Sequence, residues 1–84
     1  MDENELRSLE VAKLVDARGT ACPGPLLAAK RSLAAVPIDG IMELVASDAG
    51  TNKDIPRWCK KMKHLHLGTV EQDGNWHLYV QRKR

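Results

Sequence analysis

Residues 14–26 read LVDARGTACPGPL and contain, in order, a strand pattern, a turn and the start of a helix. The segment from Val11 to Ala17 carries apolar and β-forming residues, and Gly19 ends this predicted strand. Pro23 is placed to open a helix, because a proline at the first helical position gives up only an N–H that would be unpaired there anyway. This stretch therefore predicts the first strand and first helix of a βαβ unit.

The segment after Pro23 predicts a helix with one side facing the core, because its apolar residues recur at helical spacing. Those residues are Leu26, Ala29, Leu33 and Val36. Pro37 and Gly40 are expected to end this helix. The apolar stretch Ile41–Ser47 then predicts a second strand.

The second helix has two candidate start positions. Thr51 and Asp54 have the spacing of a capping box, but that start leaves Pro56 beyond the first turn, where its missing N–H is needed. We therefore expect the helix to begin at Asp54. Apolar residues at positions i, i+3, i+4 and i+7 predict its buried stripe. They are Ile55, Trp58, Cys59 and Met62.

Two further strands are predicted at the end of the chain. Leu65 to Glu71 forms one of them, and Asp73-Gly74 is a strong two-residue hairpin signal. Trp76, Leu78 and Val80 alternate with more polar residues and predict a last strand with one buried face. The order βαβαββ predicts an α+β fold. It is a two-layer α/β sandwich, with two helices on one face of a four-stranded mixed sheet.

Length and charge place the chain among small globular proteins. It has 84 residues and a formal net charge of +2, and a chain of this length buries only about 60–65% of the surface that it exposes when unfolded. We expect a single domain over residues 11–84 and a flexible, acidic segment over residues 1–10. There is no apolar run of about 20 residues and no secretory signal pattern, which predicts a cytoplasmic protein without a membrane partner.

The chemistry predicted for this chain centres on Cys22, between the first strand and the first helix. A helix N-terminus carries about half a positive charge, which stabilises a thiolate or a persulfide and lowers the thiol pKa. Pro23 and Pro25 offer no N–H to the sulfur, but they hold the backbone rigidly. Gly24 leaves room for an approaching partner, and Arg18 adds a positive charge. From this pattern alone, a cysteine that only packs the loop is an equal alternative.

Two motifs resemble those of the TusA/SirA/YedF family of small sulfur carrier proteins. The first is LVDARG at 14–19 followed by CPGPL at 22–26, and the second is DAGTNKDIPRWC at 48–59, continued by KMKHL at 61–65. They stand about 30 residues apart, and the resemblance covers the chain from residue 14 to residue 80. Thr20 departs from the family pattern, which commonly has leucine two residues before the cysteine.

The resemblance implies a βαβαββ fold and a functional cysteine before the first proline of Cys-Pro-x-Pro, which here is Cys22. Arg18, Gly19, Pro23, Gly24 and Pro25 would form the supporting loop and helix start. In this family the cysteine receives sulfane sulfur from a cysteine desulfurase or a rhodanese-like donor. It passes the sulfur as a persulfide to an acceptor such as a DsrE/TusD-like protein, for tRNA 2-thiouridine, molybdenum cofactor or sulfur oxidation pathways. Neither a cofactor nor a metal is implied, and we expect a monomer.

Other residues allow further hypotheses. Cys59 fits simple packing on the helix stripe, although a second sulfur-bearing thiol is an alternative. Cys59 with His64, His66 and His77 lacks the paired spacing of a structural zinc site. Lys60, Lys61, Lys63 and the Arg82-Lys83-Arg84 tail form a basic patch, which is either a solvated face or a docking surface for an acidic partner. The scarcity of aromatic residues argues against direct nucleic-acid binding.

Two other functions stay open at this point. In the first, the protein is a non-catalytic module, regulatory or RNA-linked, in which Cys22 only shapes its loop. In the second, it is a thiol redox protein, which would need Cys22 and Cys59 to come within bridging distance. That reading lacks the Cys-x-x-Cys pair that such proteins commonly use.

Overall fold

The computed structural model describes residues 3–20 and 24–84. Within these residues, three helices and four strands follow one another. They are α1 (Glu3–Arg7), β1 (Lys13–Asp16), α2 (Gly24–Leu33), β2 (Ile41–Ala46), α3 (Thr51–Met62), β3 (Leu65–Gln72) and β4 (Asn75–Gln81). The predicted βαβαββ order is confirmed from β1 onward.

The four strands form one mixed sheet in the order β1-β2-β4-β3. β1 and β2 are parallel, so the connection between them needs a crossover, which α2 supplies. β4 is antiparallel to both β2 and β3. The α+β class and the mixed four-stranded sheet are therefore as predicted.

The main core lies between α2, α3 and one face of the sheet. Its centre consists of apolar side chains that are almost completely buried: Ala29, Val36, Met42, Leu44, Ile55, Cys59, Leu78 and Val80. Trp58 belongs to this core and Trp76 packs against it. Both main helices thus cover one face, as the apolar spacing predicted.

The turn between β3 and β4 has the geometry that its sequence demands. Asp73 and Gly74 have φ angles of 55° and 78°. Positive φ at both central residues is the mark of a type I′ turn, which joins strands of ordinary right-handed twist without splaying them. The hairpin predicted from Asp73-Gly74 is confirmed.

The predicted start of α3 at Asp54 is wrong. The amide N–H groups of Thr51, Asn52 and Lys53 donate to the carbonyls of residues 48–50 at 3.1 Å, so the helix is already closed at Thr51. Pro56 then costs only one helical bond, the one to the Asn52 carbonyl. The capping box is also absent here, because Gly50 is the N-cap and no side chain caps the helix.

Met62 does not belong to the buried stripe of α3, contrary to the prediction. Its side chain is 47% exposed, whereas Ile55, Trp58 and Cys59 are buried. Met62 is the last residue of the helix, where the helix runs past the edge of the core. Helical spacing identified the correct face but could not show where the core stops.

The second face of the sheet is partly covered, which the sequence did not predict. Leu6 of α1 is 2% exposed and packs with Val70 and Tyr79. Gly68 permits this contact, because a Cβ there would lie 2.6 Å from Leu6 Cδ1. The expectation that β4 has one buried face is therefore wrong, since Tyr79 is 4% exposed on the other side. The flexibility expected for residues 1–10 stays a prediction, although α1 lies within them.

Leu6→Ala tests whether α1 contributes to stability. Removal of a buried leucine side chain should lower the free energy of unfolding by about 2–3 kcal/mol, measured by urea denaturation. Leu27→Ala is the control, because Leu27 is 51% exposed on α2 and its loss should change little. Equal effects of the two substitutions would contradict the packing of α1 and would support a flexible N-terminal segment.

Candidate functional site

The loops that follow β1 and β2 leave the sheet at the same edge, because these two strands are parallel. The Gly19 N–H donates a hydrogen bond of 2.9 Å to Ser47 Oγ and joins the two loops. Gly19 has a φ of 81°, a backbone conformation that favours glycine. We call residues 16–20, 24–25 and 47–51 the loop edge. Cys22 and Pro23 lie outside the described residues, between its first two segments.

Arg18 is paired within its own loop. Its guanidinium donates to both carboxylate oxygens of Asp16, at 2.9 and 2.8 Å, and its backbone N–H donates to the same carboxylate at 3.1 Å. These hydrogen bonds lower the pKa of Asp16 to about 2. Because Asp16 neutralises Arg18, the pair adds little net positive charge to the loop, in contrast to the expectation from the sequence.

Thr20 and Gly24, the two described ends of the loop, lie close together. The Thr20 hydroxyl donates to the Ala17 carbonyl at 2.7 Å. A Cβ on Gly24 would lie only 2.9 Å from Thr20 Cβ. Glycine is therefore required at the first residue of α2 by a contact inside the protein, besides any room that it leaves for a partner. Thr20, the departure from the family pattern, closes this loop.

Pro25 anchors the start of α2. Its ring is among the fully buried side chains of the protein, so it has a packing role as well as a fixed φ angle. Arg18, Gly19, Gly24 and Pro25, all predicted from the sequence, lie along the loop edge. Gly24 and Pro25 begin α2, whereas the Arg18 side chain lines a concavity with Glu43 and His77 and is not directed at that helix start.

The start of α3 adds two polar groups that the sequence analysis did not identify. Within the described residues, Thr51 Oγ1 and Asn52 Oδ1 are buried and have no hydrogen-bond partner. The backbone of the preceding turn is held by Asp48, whose Oδ1 accepts the Gly50 N–H at 2.9 Å. Two sequence signals pointed to this segment, the capping-box spacing of Thr51 and the second motif at 48–59, but neither indicated that Thr51 Oγ1 and Asn52 Oδ1 are buried without a partner.

Cys59 is a core residue. Its side chain is 1% exposed, and burial raises the pKa of its thiol to about 11. Such a thiol is neither ionised nor accessible near neutral pH. These properties agree with the packing role that was favoured for Cys59 and give no support to a second sulfur-bearing thiol.

The histidines considered for a metal site are dispersed. His64 contacts the Trp58 ring, with ring centroids 5.6 Å apart, and His77 Nδ1 lies 2.9 Å from Glu43 Oε2 on the opposite face of the sheet. His66 bonds Thr69 Oγ1. In the described part of the chain, no three histidine, cysteine, aspartate or glutamate side chains come together as a metal site requires.

The sequence profile of the family described as "Sulfurtransferase TusA" matches residues 13–82 of this chain. The match includes both motifs and all four strands. The chain belongs to the TusA family.

Individual relatives are similar over almost their whole length. A protein of Archaeoglobus fulgidus, named as a candidate sulfur carrier protein, is 36% identical over 69 residues, which cover 82% of this chain and 94% of the relative. The sulfur carrier protein TusA of Pseudomonas fluorescens is 33% identical over 69 residues, which cover 82% of each chain.

A solved structure shares the fold. The crystal structure of a SirA-like protein from Desulfitobacterium hafniense superposes with a TM-score of 0.74 and 20% sequence identity. The superposition covers 86% of this chain and 99% of the other.

Within residues 3–20 and 24–84, every helix is too short or too polar to cross a bilayer.

Gly24→Ala tests the contact between Thr20 and Gly24. The added methyl group would force the loop or the helix start to move, and we expect a loss of about 1–3 kcal/mol in unfolding free energy. The same substitution in a Thr20→Gly background should cost less, because the opposing Cβ is gone. Equal costs in the two backgrounds, measured by urea denaturation, would contradict the contact.

Cys59 should resist alkylation in the folded protein. In a Cys22→Ser variant at pH 8, only about one Cys59 thiol in a thousand is ionised at a pKa of about 11. Iodoacetamide should therefore label Cys59 only after denaturation, as followed by mass spectrometry. Rapid labelling without denaturant would show that Cys59 is accessible and would reopen its role as a second reactive thiol.

Proposed function

We propose that this protein is a sulfur carrier that accepts sulfane sulfur as a persulfide on Cys22 and passes it to an acceptor protein. The observation that carries the proposal is the loop edge. The Arg18–Asp16 pair, the Gly19–Ser47 hydrogen bond and the close approach of Gly24 to Thr20 lie in the segments that flank Cys22 in sequence. Membership of the TusA family and the names of its relatives support the same function.

The transfer step is an exchange at sulfur. The Cys22 thiolate attacks the terminal sulfur of a donor persulfide, the donor's S–S bond breaks, and the donor thiolate leaves as the Cys22 persulfide forms. The outgoing step repeats this exchange, with an acceptor thiolate as the nucleophile. No net oxidation or reduction takes place, so the carrier needs no redox cofactor for either step.

The loop edge offers few groups for proton transfer. It contains no histidine or lysine, and Asp16 is held ionised by Arg18. We therefore propose that the donor and the acceptor supply any acid or base that the exchange needs. A carrier built in this way has to enter the active sites of other proteins.

The donor class that we propose is a cysteine desulfurase or a rhodanese-like protein, and the acceptor class is a DsrE/TusD-like protein. The proposed setting is a cytoplasmic monomer without bound metal or nucleic acid. Thiolation of tRNA, molybdenum cofactor supply and sulfur oxidation are the candidate destinations of the sulfur.

Incubation with a cysteine desulfurase and cysteine tests the proposal directly. The mass of the protein should rise by one sulfur atom and return after treatment with a reductant. Cys22→Ser should abolish this gain, while Cys59→Ala should retain it, because Cys59 is buried in the core. An unchanged mass with several competent donors would contradict the proposal. If Cys22→Ser kept the full function of the protein in cells, the result would favour the alternative of a non-catalytic interaction module.

A further inference from the structure

A groove lies at the end of the fold opposite the loop edge. β4 runs antiparallel to β2, so the tail after Gln81 lies at the end of the sheet where β2 begins. The C-terminal halves of α2 and α3 and this tail enclose a groove of about 390 Å³. A groove of this size is in the range of ligand-binding clefts.

Four cationic side chains line the groove: Lys30, Lys61, Arg82 and Arg84. They come from α2, from α3 and from the tail, so the tertiary structure gathers charges that are far apart in sequence. Among the described residues, none of those lining the groove is acidic. The pKa of His64, which also lines it, is lowered by burial and by the charges of Arg82 and Arg84.

The Arg82 side chain is hydrogen-bonded within the protein. Its guanidinium donates to the carbonyls of Ala34 and Val36 at 3.2 and 2.6 Å, and to the Arg84 carbonyl at 2.7 Å. Two of these bonds join the tail to the segment that directly follows α2. Arg82 therefore fixes one wall of the groove.

Three cations of the groove remain available to a ligand. Within the described part of the chain, Lys30, Lys61 and Arg84 have no ion-pair partner. Lys83, in contrast, is paired with Asp39 at 2.8 Å and does not line the groove. Charge complementarity therefore calls for an acidic occupant.

The groove also has an apolar part. Met62, expected in the core, is instead 47% exposed and borders the groove together with Trp58. Methionine is flexible and adapts to varied apolar partners. The occupant should therefore combine acidic groups with at least one apolar side chain.

The concave surface continues between the helices towards the start of α2. A second concavity of about 260 Å³ shares Lys30, Trp58 and Lys61 with the groove and adds Leu26, Asp54 and Arg57, so the net positive charge is concentrated in the groove itself. The ten residues of α2 span about 15 Å at 1.5 Å per residue. This length matches about five residues of extended chain at about 3.3 Å each.

We infer that this groove binds an acidic polypeptide segment with an apolar anchor, belonging to a protein that exchanges sulfur with the carrier. The inference rests on the proposed function. Because the groove itself lies at the opposite end of the fold from the loop edge, a segment anchored there reaches the start of α2 only with its far end. The segment that carries Cys22 then stays available to an active site. Binding at one end of the carrier raises the effective concentration of Cys22 at that active site.

Fluorescence anisotropy with a labelled acidic hexapeptide, DELDEF, tests the site on the full chain. At about 0.15 M salt the screening length is about 8 Å, so only charges near the peptide should matter. Lys61→Glu should weaken binding at least tenfold, because Lys61 lines the groove. Lys60→Glu makes the same charge change on an adjacent, exposed residue that does not line it, and it should alter binding less than twofold.

Several results would overturn the inference. They are equal losses in Lys60→Glu and Lys61→Glu, no binding of DELDEF at millimolar concentration, or equal binding of its neutral counterpart NQLNQF. Tighter binding of a six-nucleotide RNA in the same groove would also overturn it and would point to nucleic acid instead. Circular dichroism of both variants would verify that they are folded.

Loading of Cys22 from a low-molecular-weight persulfide distinguishes a failure of the sulfur carrier proposal from a failure of the proposed binding site. Lys61→Glu should load normally from this small donor, because the donor has no acidic segment to bind. If no variant loads but DELDEF still binds through Lys61, the sulfur carrier proposal fails and the binding site stands. If all variants load but Lys61→Glu binds DELDEF as the unmodified chain does, the binding site fails alone.

Discussion

The parallel pairing of β1 with β2 is the constraint on which the rest of the structure depends. It requires a crossover, so α2 must pass over the sheet, and α3 then packs beside α2 on the same face. It also brings the loops after both strands to one edge, where Gly19 and Ser47 are hydrogen-bonded. Two motifs about 30 residues apart in sequence thus become neighbours.

The described segments on either side of residue 22 offer little net charge to a sulfur anion. Arg18 is neutralised by Asp16, and Thr20 closes on Gly24. The charge that remains to stabilise a sulfur anion is the partial charge of a helix start. A carrier must release its sulfur as readily as it accepts it, and a strongly stabilised anion is a poorer nucleophile. Modest activation of the cysteine suits the repeated transfer between proteins that we propose.

At the opposite end of the molecule, cationic side chains gather around the groove. Arg82 binds carbonyls of the segment that directly follows α2 and so joins the tail to the helical layer. Lys30, Lys61 and Arg84 surround the groove next to it without an ion-pair partner in the described residues. We therefore propose different tasks for the two ends, sulfur transfer at one and recognition of a partner at the other.

Much of the fold could be predicted from the residues alone, because helical spacing, strand alternation and the Asp73-Gly74 turn are local signals. Cys22 and its flanking motif were recognisable for the same reason, and the role assigned to Cys22 stays a prediction. The start of α3 at Thr51, the exposure of Met62 and the burial of Tyr79 beneath Leu6 were not predictable in this way. Each depends on where the core ends or on what covers a surface, and these are contacts between distant segments. The groove has the same origin, since its cations come from three separate elements that only packing brings together.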